Sequence, residues 1–254
     1  MSPDLWLPVA ALAAGWVDAV VGGGGLIQLP ALLIGLPGAS PAQILATNKL
    51  ASICGTTTSS ITYARRIRPS LRTVLPLAGA AFAGSAAGAA CASLLPAAVF
   101  RPLVLVLLVA VGLYTWRRPD LGAVTALRHS GHRHTLAAAG VGVGLGFYDG
   151  IFGPGTGAFL VLALVAVLGY AFLEASGTAK IANVATNLGA LVVFVPQGAP
   201  LWRTGLLMGA ANVLGGYLGA RTAVARGSRF VRTVLLVVVA ALVVRLGWDV
   251  LVRR

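Results

Sequence analysis

The chain predicts an all-α polytopic membrane protein built as two inverted repeats. Each repeat has about four helical segments, the first of them broken or hairpin-like, giving about 8–10 spans in all. Three observations carry this. Of 254 residues, 58% are hydrophobic and 10% are charged, with a mean hydropathy of +0.91, whereas a soluble domain carries roughly 25% charge. Apolar runs of bilayer length follow one another along the chain. The second half then repeats the polar and glycine pattern of the first.

The first apolar run, 5–36, would make a helix of about 48 Å, too long for one crossing of a roughly 30 Å hydrocarbon layer. Gly22 to Gly25 cut it, so it reads as a broken helix or hairpin. No basic residue precedes it, unlike the positive start of a cleavable signal peptide, so it is expected to belong to the mature membrane structure. Runs at 41–63, 71–95 and 98–118 each suit one crossing. The run 134–172 would reach about 58 Å and is cut by Gly153, Pro154, Gly155 and Gly157. Runs at 174–196, 201–225 and 229–252 complete the series. The expected organisation is a first transmembrane repeat over 1–120, a basic cytoplasmic linker over 121–133 and a second repeat over 134–254.

Gly15, Asp18, Gly22, Gly24, Thr47, Lys49, Gly84 and Gly88 recur as Gly146, Asp149, Gly153, Gly155, Thr178, Lys180, Gly215 and Gly219, always 131 residues on. Glycine matches are cheap in a chain with 33 of them, but the 19 basic residues include only two lysines, and these two align. The halves are duplicated. Their orientation follows from the arginines. Arg65, Arg66, Arg68 and Arg72 cluster at 63–72, whereas the equivalent 194–203 has only Arg203. At the next loop Arg101 stands alone, against Arg226, Arg229 and Arg232, with Arg221 just before them, in the second half. By the positive-inside rule equivalent loops lie on opposite sides, so each half crosses an odd number of times. The basic stretch 117–133, with Arg117, Arg118, Arg128 and Arg133, then falls inside and both termini outside.

An inverted duplication with a glycine break in each half is the plan of many secondary transporters, with substrate held near the midplane. An intramembrane ammonium costs at least about 2.5–3.5 kcal/mol and ordinarily faces a cavity or a partner. Lys49 and Lys180 therefore read as cations lining an anion pathway; pairing with Asp18 or Asp149, or reaching towards an interface, is the structural alternative. Asp18 and Asp149 stand four residues before each break. There a carboxylate opposes anion binding unless it is protonated or paired, which makes both candidate proton carriers. Half-helix amides at Gly24, Gly25 and Gly155 favour an anion. Thr47, Asn48, Ser52, Thr56, Thr57 and Thr58 in one half, and Thr178, Asn183, Thr186 and Asn187 in the other, could donate to its oxygens, or equally serve interhelical hydrogen bonds. Gly84-x-x-x-Gly88 and Gly215-x-x-x-Gly219 suit close helix packing.

Other chemistry is disfavoured. A net charge of +13 is spread over short clusters and forms no nucleic-acid stripe. Cys54 and Cys91 have no metal-ligand spacing. His129, His132 and His134 lie among arginines that repel cations, and are expected in a solvated loop with no metal. Gly22 to Gly25 lack the Lys-Ser/Thr of a phosphate loop, and no HExxH or GxSxG supplies catalytic groups. The chain is not expected to be an enzyme, and no cofactor is implied.

The segments GWVDAVVGGGGLIQLPALLIGLP and ATNKLAS, then GFYDGIFGPGTGAFLVLAL and SGTAKIANVATNLGAL, resemble the sulfite exporter TauE/SafE family of membrane permeases over about residues 10–250. The resemblance implies movement of sulfur-containing anions, such as sulfite and organosulfonates, across the cytoplasmic membrane. It maps the family's segments onto Asp18, Gly22 to Gly25, Pro30, Thr47, Asn48 and Lys49, and onto Asp149, Gly153, Pro154, Gly155, Thr178, Lys180, Asn183 and Asn187. Ala179 stands where symmetry with Asn48 would place an amide; Asn183, one turn on, is a replacement. The expectation is thus a multi-pass exporter of a small sulfur anion in the cytoplasmic membrane, with a small anionic substrate and the lipid bilayer as partners. Two alternatives are a cation transporter using Asp18 and Asp149, and a non-transporting scaffold with basic cytoplasmic loops.

Overall fold

The computed structural model describes residues 3–92, 113, 115–117 and 122–252. Most of the apolar run 98–118, together with Arg101, Arg118, Arg253 and Arg254, lies outside the described residues. Every regular element among those described is helical: α1 (Pro3–Val21), α2 (Gly25–Gly35), α3 (Pro41–Ile67), α4 (Leu71–Cys91), α5 (Gly131–Ile151), α6 (Thr156–Ala163, running into a π turn Leu164–Leu168), α7 (Phe172–Phe194) and α8 (Trp202–Val252). Helix α8 leaves helical backbone at Gly227.

Local sequence explains the boundaries. Ser40 and Gln43 form a reciprocal capping box with Pro41 at the start of α3, which satisfies otherwise orphaned backbone donors. Arg65 and Arg66 occupy its last turn, where cations complement the helix dipole. Helices α4 and α7 are each long and apolar enough to cross a membrane. Helix α3 is long enough but carries the polar residues Thr47 to Thr58, most of which turn inward. That placement is what a bilayer enforces on polar groups.

Both long apolar runs fold back. At the end of α2, a side chain added to Gly35 would stand 3.1 Å from Leu7 and Trp6, near the beginning of α1. Leu7, Ala11, Leu29 and Leu32 pack between the two arms. In the second half, Ala126 N and Arg128 N, just before α5, donate to Gly169 O at 2.8 Å and Leu168 O at 3.1 Å, just after α6. Each hairpin therefore returns to the end at which it started.

The hairpins enter the bundle from opposite ends. Gly35 leads through a short turn into α3, so α1 begins where α3 begins. Helix α5 begins beside Thr73, at the start of α4 and hence at the far end of α3, with His134 Nε2 2.7 Å from Thr73 Oγ1. The main helix contacts are reciprocal. Gly84 on α4 abuts the backbone of Val143 and Phe147 on α5, and Gly215 on α8 abuts that of Leu12 and Trp16 on α1. Both members of the second set differ from the first by 131 residues, in opposite directions. The two contacts therefore exchange equivalent positions of the repeat. The glycines sit where backbones touch, as small residues do in membrane bundles.

One expectation is corrected. His134 is not in a solvated loop: α5 begins at Gly131, and His134 is buried at 7% exposure against Thr73 and Tyr170. The helix starts three residues earlier than the hydropathy pattern suggests, because the packed interface supplies His134 with a partner that hydropathy alone cannot register.

Candidate substrate site

The site forms where the two hairpin tips cross. Gly22 and Gly153, equivalent in the repeat, end α1 and α5 with φ of 81° and 88°, a left-handed backbone that suits glycine. At Gly22 the need is doubled, because any side chain would enter the backbone of Gly157 and Ala158 from the other hairpin. Ala158 N donates to Gly22 O at 3.1 Å, tying the tips together.

Each lysine pairs with the carboxylate of the opposite half. Lys49 Nζ on α3 lies 2.5 Å from Asp149 Oδ2 on α5, and Lys180 Nζ on α7 lies 2.9 Å from Asp18 Oδ2 on α1. Asp18 Oδ1 also accepts from Gly24 N at 3.3 Å. Lys180 is fully buried, Lys49 is 2% exposed, and the side chains of Asp149 and Asp18 are 6% and 18% exposed. Two cations and two anions leave the centre formally neutral. Losing one partner of such a pair leaves an uncompensated buried charge and costs about 3–5 kcal/mol.

Beside the pairs lies a polar cavity of about 30 Å³, space for about two water-sized groups. Of the residues expected from sequence, Lys49, Asn48, Asn183, Asn187, Gly25, Asp18 and Asp149 line it. Lys180, Thr47, Thr178, Gly24 and Gly155 do not. Thr47 Oγ1 instead accepts from Leu201 N at 3.0 Å, Gly24 caps α2, and Gly155 caps α6. Thr178 is buried in α7.

Ser52 and Thr56 line the cavity as well, as do Thr156, Gly22, Gly153 and Gly157. Ser52 and Thr56 follow Lys49 by three and seven residues, on one helix face, as Asn183 and Asn187 follow Lys180. They are the repeat counterparts of those asparagines, and Asn187 Nδ2 donates to Thr56 Oγ1 at 3.3 Å across the cavity. Thr156 is the counterpart of Gly25, again one residue from each half.

No triad of metal-ligating side chains occurs among the described residues. A helical bundle with crossed broken helices, paired intramembrane charges and a central polar cavity defines a multi-pass membrane transporter. The pattern of the sulfite exporter TauE/SafE family matches residues 7–246. The chain belongs to that family, which is one of membrane permeases and not of enzymes. It is 40% identical over 245 residues to the "Probable membrane transporter protein ORF9" of Sinorhizobium sp, covering 96% of this chain and 92% of that protein. It is 35% identical over 240 residues to the "Probable membrane transporter protein YfcA" of Escherichia coli K12, covering 94% and 87% respectively. A "Probable membrane transporter protein" of Haemophilus influenzae is 35% identical over 236 residues, covering 93% and 91%. No solved structure shows significant similarity to the chain.

Proposed function

We propose that this transporter exports small sulfur-containing anions, such as sulfite or organosulfonates, across the cytoplasmic membrane by alternating access, with proton and anion moving together. The observation that carries the reading is the Lys49–Asp149 pair on the wall of the cavity at the crossed hairpin tips. A paired lysine offers no net charge to an anion. Protonation of Asp149 releases Lys49 as a cation, and an oxyanion then restores neutrality. One proton and one charge thus bind together, a linkage in which each favours the other. Asn183, Asn187 and Asn48 stand close enough to donate to the oxyanion. Lys180 and Asp18, the equivalent pair, hold the opposite hairpin, and would take the same role when the halves exchange conformations.

Hairpins entering from opposite ends, together with the opposed arginine clusters, support an inverted repeat whose axis lies in the membrane plane. A cavity of about 30 Å³ is small for an oxyanion of four heavy atoms. Loading on this reading widens the cavity by parting the tips. The test is uptake of radiolabelled sulfite, sulfate and a small sulfonate by proteoliposomes, with and without an imposed pH gradient. Accumulation of a sulfur anion that follows the gradient is expected; uptake indifferent to the gradient removes proton coupling, and no uptake of any anion removes the substrate class.

A further inference from the structure

One of two equivalent junctions between the halves contains a polar device that the other lacks. Gln28 on α2 donates Nε2 to the backbone carbonyl of Asn48 on α3 at 3.2 Å, and its Oε1 accepts from Asn212 Nδ2 on α8 at 2.5 Å. Gln28, Asn48 and Asn212 are 1%, 3% and 3% exposed. Shifted by 131 residues, the same three positions are Phe159, Ala179 and Ala81. The equivalent junction is built from apolar residues alone.

Burying amides is unfavourable unless they are hydrogen-bonded, and a satisfied neutral pair contributes little net stability. The apolar version at the equivalent junction shows that the same contact is made without them. The molecule nevertheless makes room for this network. Asn212 sits in a notch between Gly15 and Gly55, where a side chain on either glycine would run into it. The counterpart of Gly55 is Thr186, so the notch exists only at the junction that holds the asparagine.

The network ends on the substrate cavity. Asn48 lines it next to Lys49, and Asn48 Oδ1 is buried without a hydrogen-bond partner. Gly25, the first residue of α2, lines it as well, one turn before Gln28. The bond from Gln28 therefore ties the beginning of α2 to the stretch of α3 that carries Asn48 and Lys49.

We propose that Gln28 and Asn212 are positioning residues that hold Asn48 and the α2 N-terminus on the substrate, so that the first half adds a fixed amide to the Asn183 and Asn187 amides of the second. The inference rests on the cavity being the substrate site. Asn48 reads the substrate's polar atoms; its counterpart Ala179 has no group with which to do so.

The test uses the intact transporter in proteoliposomes, with apparent KM and maximal rate for sulfite uptake. The double variant Gln28→Met/Asn212→Leu removes both partners together at nearly constant shape, so no amide is stranded between them. Its apparent KM is expected to rise about tenfold, with maximal rate within about twofold of wild type and unchanged folded yield. Asn48→Ala is expected to raise KM by a similar factor, and the triple variant to rise no further, because the pair acts through Asn48. A wild-type KM in the double variant overturns the proposal, as does a triple variant whose KM is the product of the separate effects. A loss of folded yield with KM unchanged also overturns it, by making the network purely structural. If wild-type protein takes up no anion, the reading of the cavity falls and takes this inference with it, a result distinct from a working transporter indifferent to the pair.

Discussion

Replacing Lys49 by Met keeps the length of the side chain and removes its charge. Asp149, 2.5 Å away and 6% exposed, is then left as a buried carboxylate without its cation. Breaking such a pair costs about 3–5 kcal/mol if the carboxylate stays charged. Protonation of Asp149 relieves much of this, so the folded protein is expected to survive with reduced thermal stability. Transport is affected separately. A hydrogen bond to a charged group contributes about 1.5–3 kcal/mol, and its loss from the anion-bound state corresponds to a fall of roughly 10- to 150-fold in kcat/KM. The double variant Lys49→Met/Asp149→Asn separates the two effects, because it removes both charges and leaves no uncompensated ion. Its thermal midpoint in detergent is expected to recover most of the loss, whereas its uptake of sulfite is expected to stay low. Lys49→Met protein that is correctly inserted and moves every tested anion at wild-type rate would refute the reasoning. So would a double variant in which transport returns together with stability.

Three further outcomes follow from the packing. Gly22→Ala meets both the 81° φ and the backbone of Gly157, whereas Gly153→Ala, at 88°, meets only the flexible end of Lys49 at 3.3 Å. Folded yield by size-exclusion chromatography is thus expected to fall much further for Gly22→Ala than for Gly153→Ala, although strain at positive φ alone costs about 1–3 kcal/mol in each. Gly84→Leu and Gly215→Leu are each expected to separate a helix pair that touches through backbone atoms, with loss of folded protein in thermal denaturation; equal melting with wild type would contradict the reciprocal contacts. Tyr170→Phe removes a hydroxyl 2.6 Å from Thr73 Oγ1, and an accompanying loss of about 1 kcal/mol is expected as a small drop in thermal midpoint with sulfite uptake retained.

Much of this architecture was legible along the chain. Chain length against bilayer thickness marked 5–36 and 134–172 as too long to cross once, and both are hairpins that return to their starting end. The lysine and aspartate repeats marked four ionisable residues as central, and all four meet at the crossed tips. The ligand set was less complete. The polar runs after each lysine offer hydroxyls and amides alike as donors or as helix-packing groups, and of these Asn48, Ser52, Thr56, Asn183 and Asn187 line the cavity while Thr47, Thr57, Thr58, Thr178 and Thr186 do not. Helical spacing from the lysine, not residue type, was the better guide, since a cavity is shared by whatever lies on one helix face.

What the sequence determined by itself was the membrane class, the duplication and the places where the helices break. These follow from transfer free energies, rise per residue and backbone freedom, all of which are properties of a local stretch of chain. Only the tertiary structure decided which aspartate meets which lysine. Pairing runs between halves, Lys49 to Asp149 and Lys180 to Asp18, because each hairpin lies against a long helix of the other repeat. It also decided that Lys49 lines the cavity while Lys180 does not, and that His134 is buried. Those outcomes depend on how two nearly equivalent halves settle against each other, and equivalence in sequence carries no information about the difference between them.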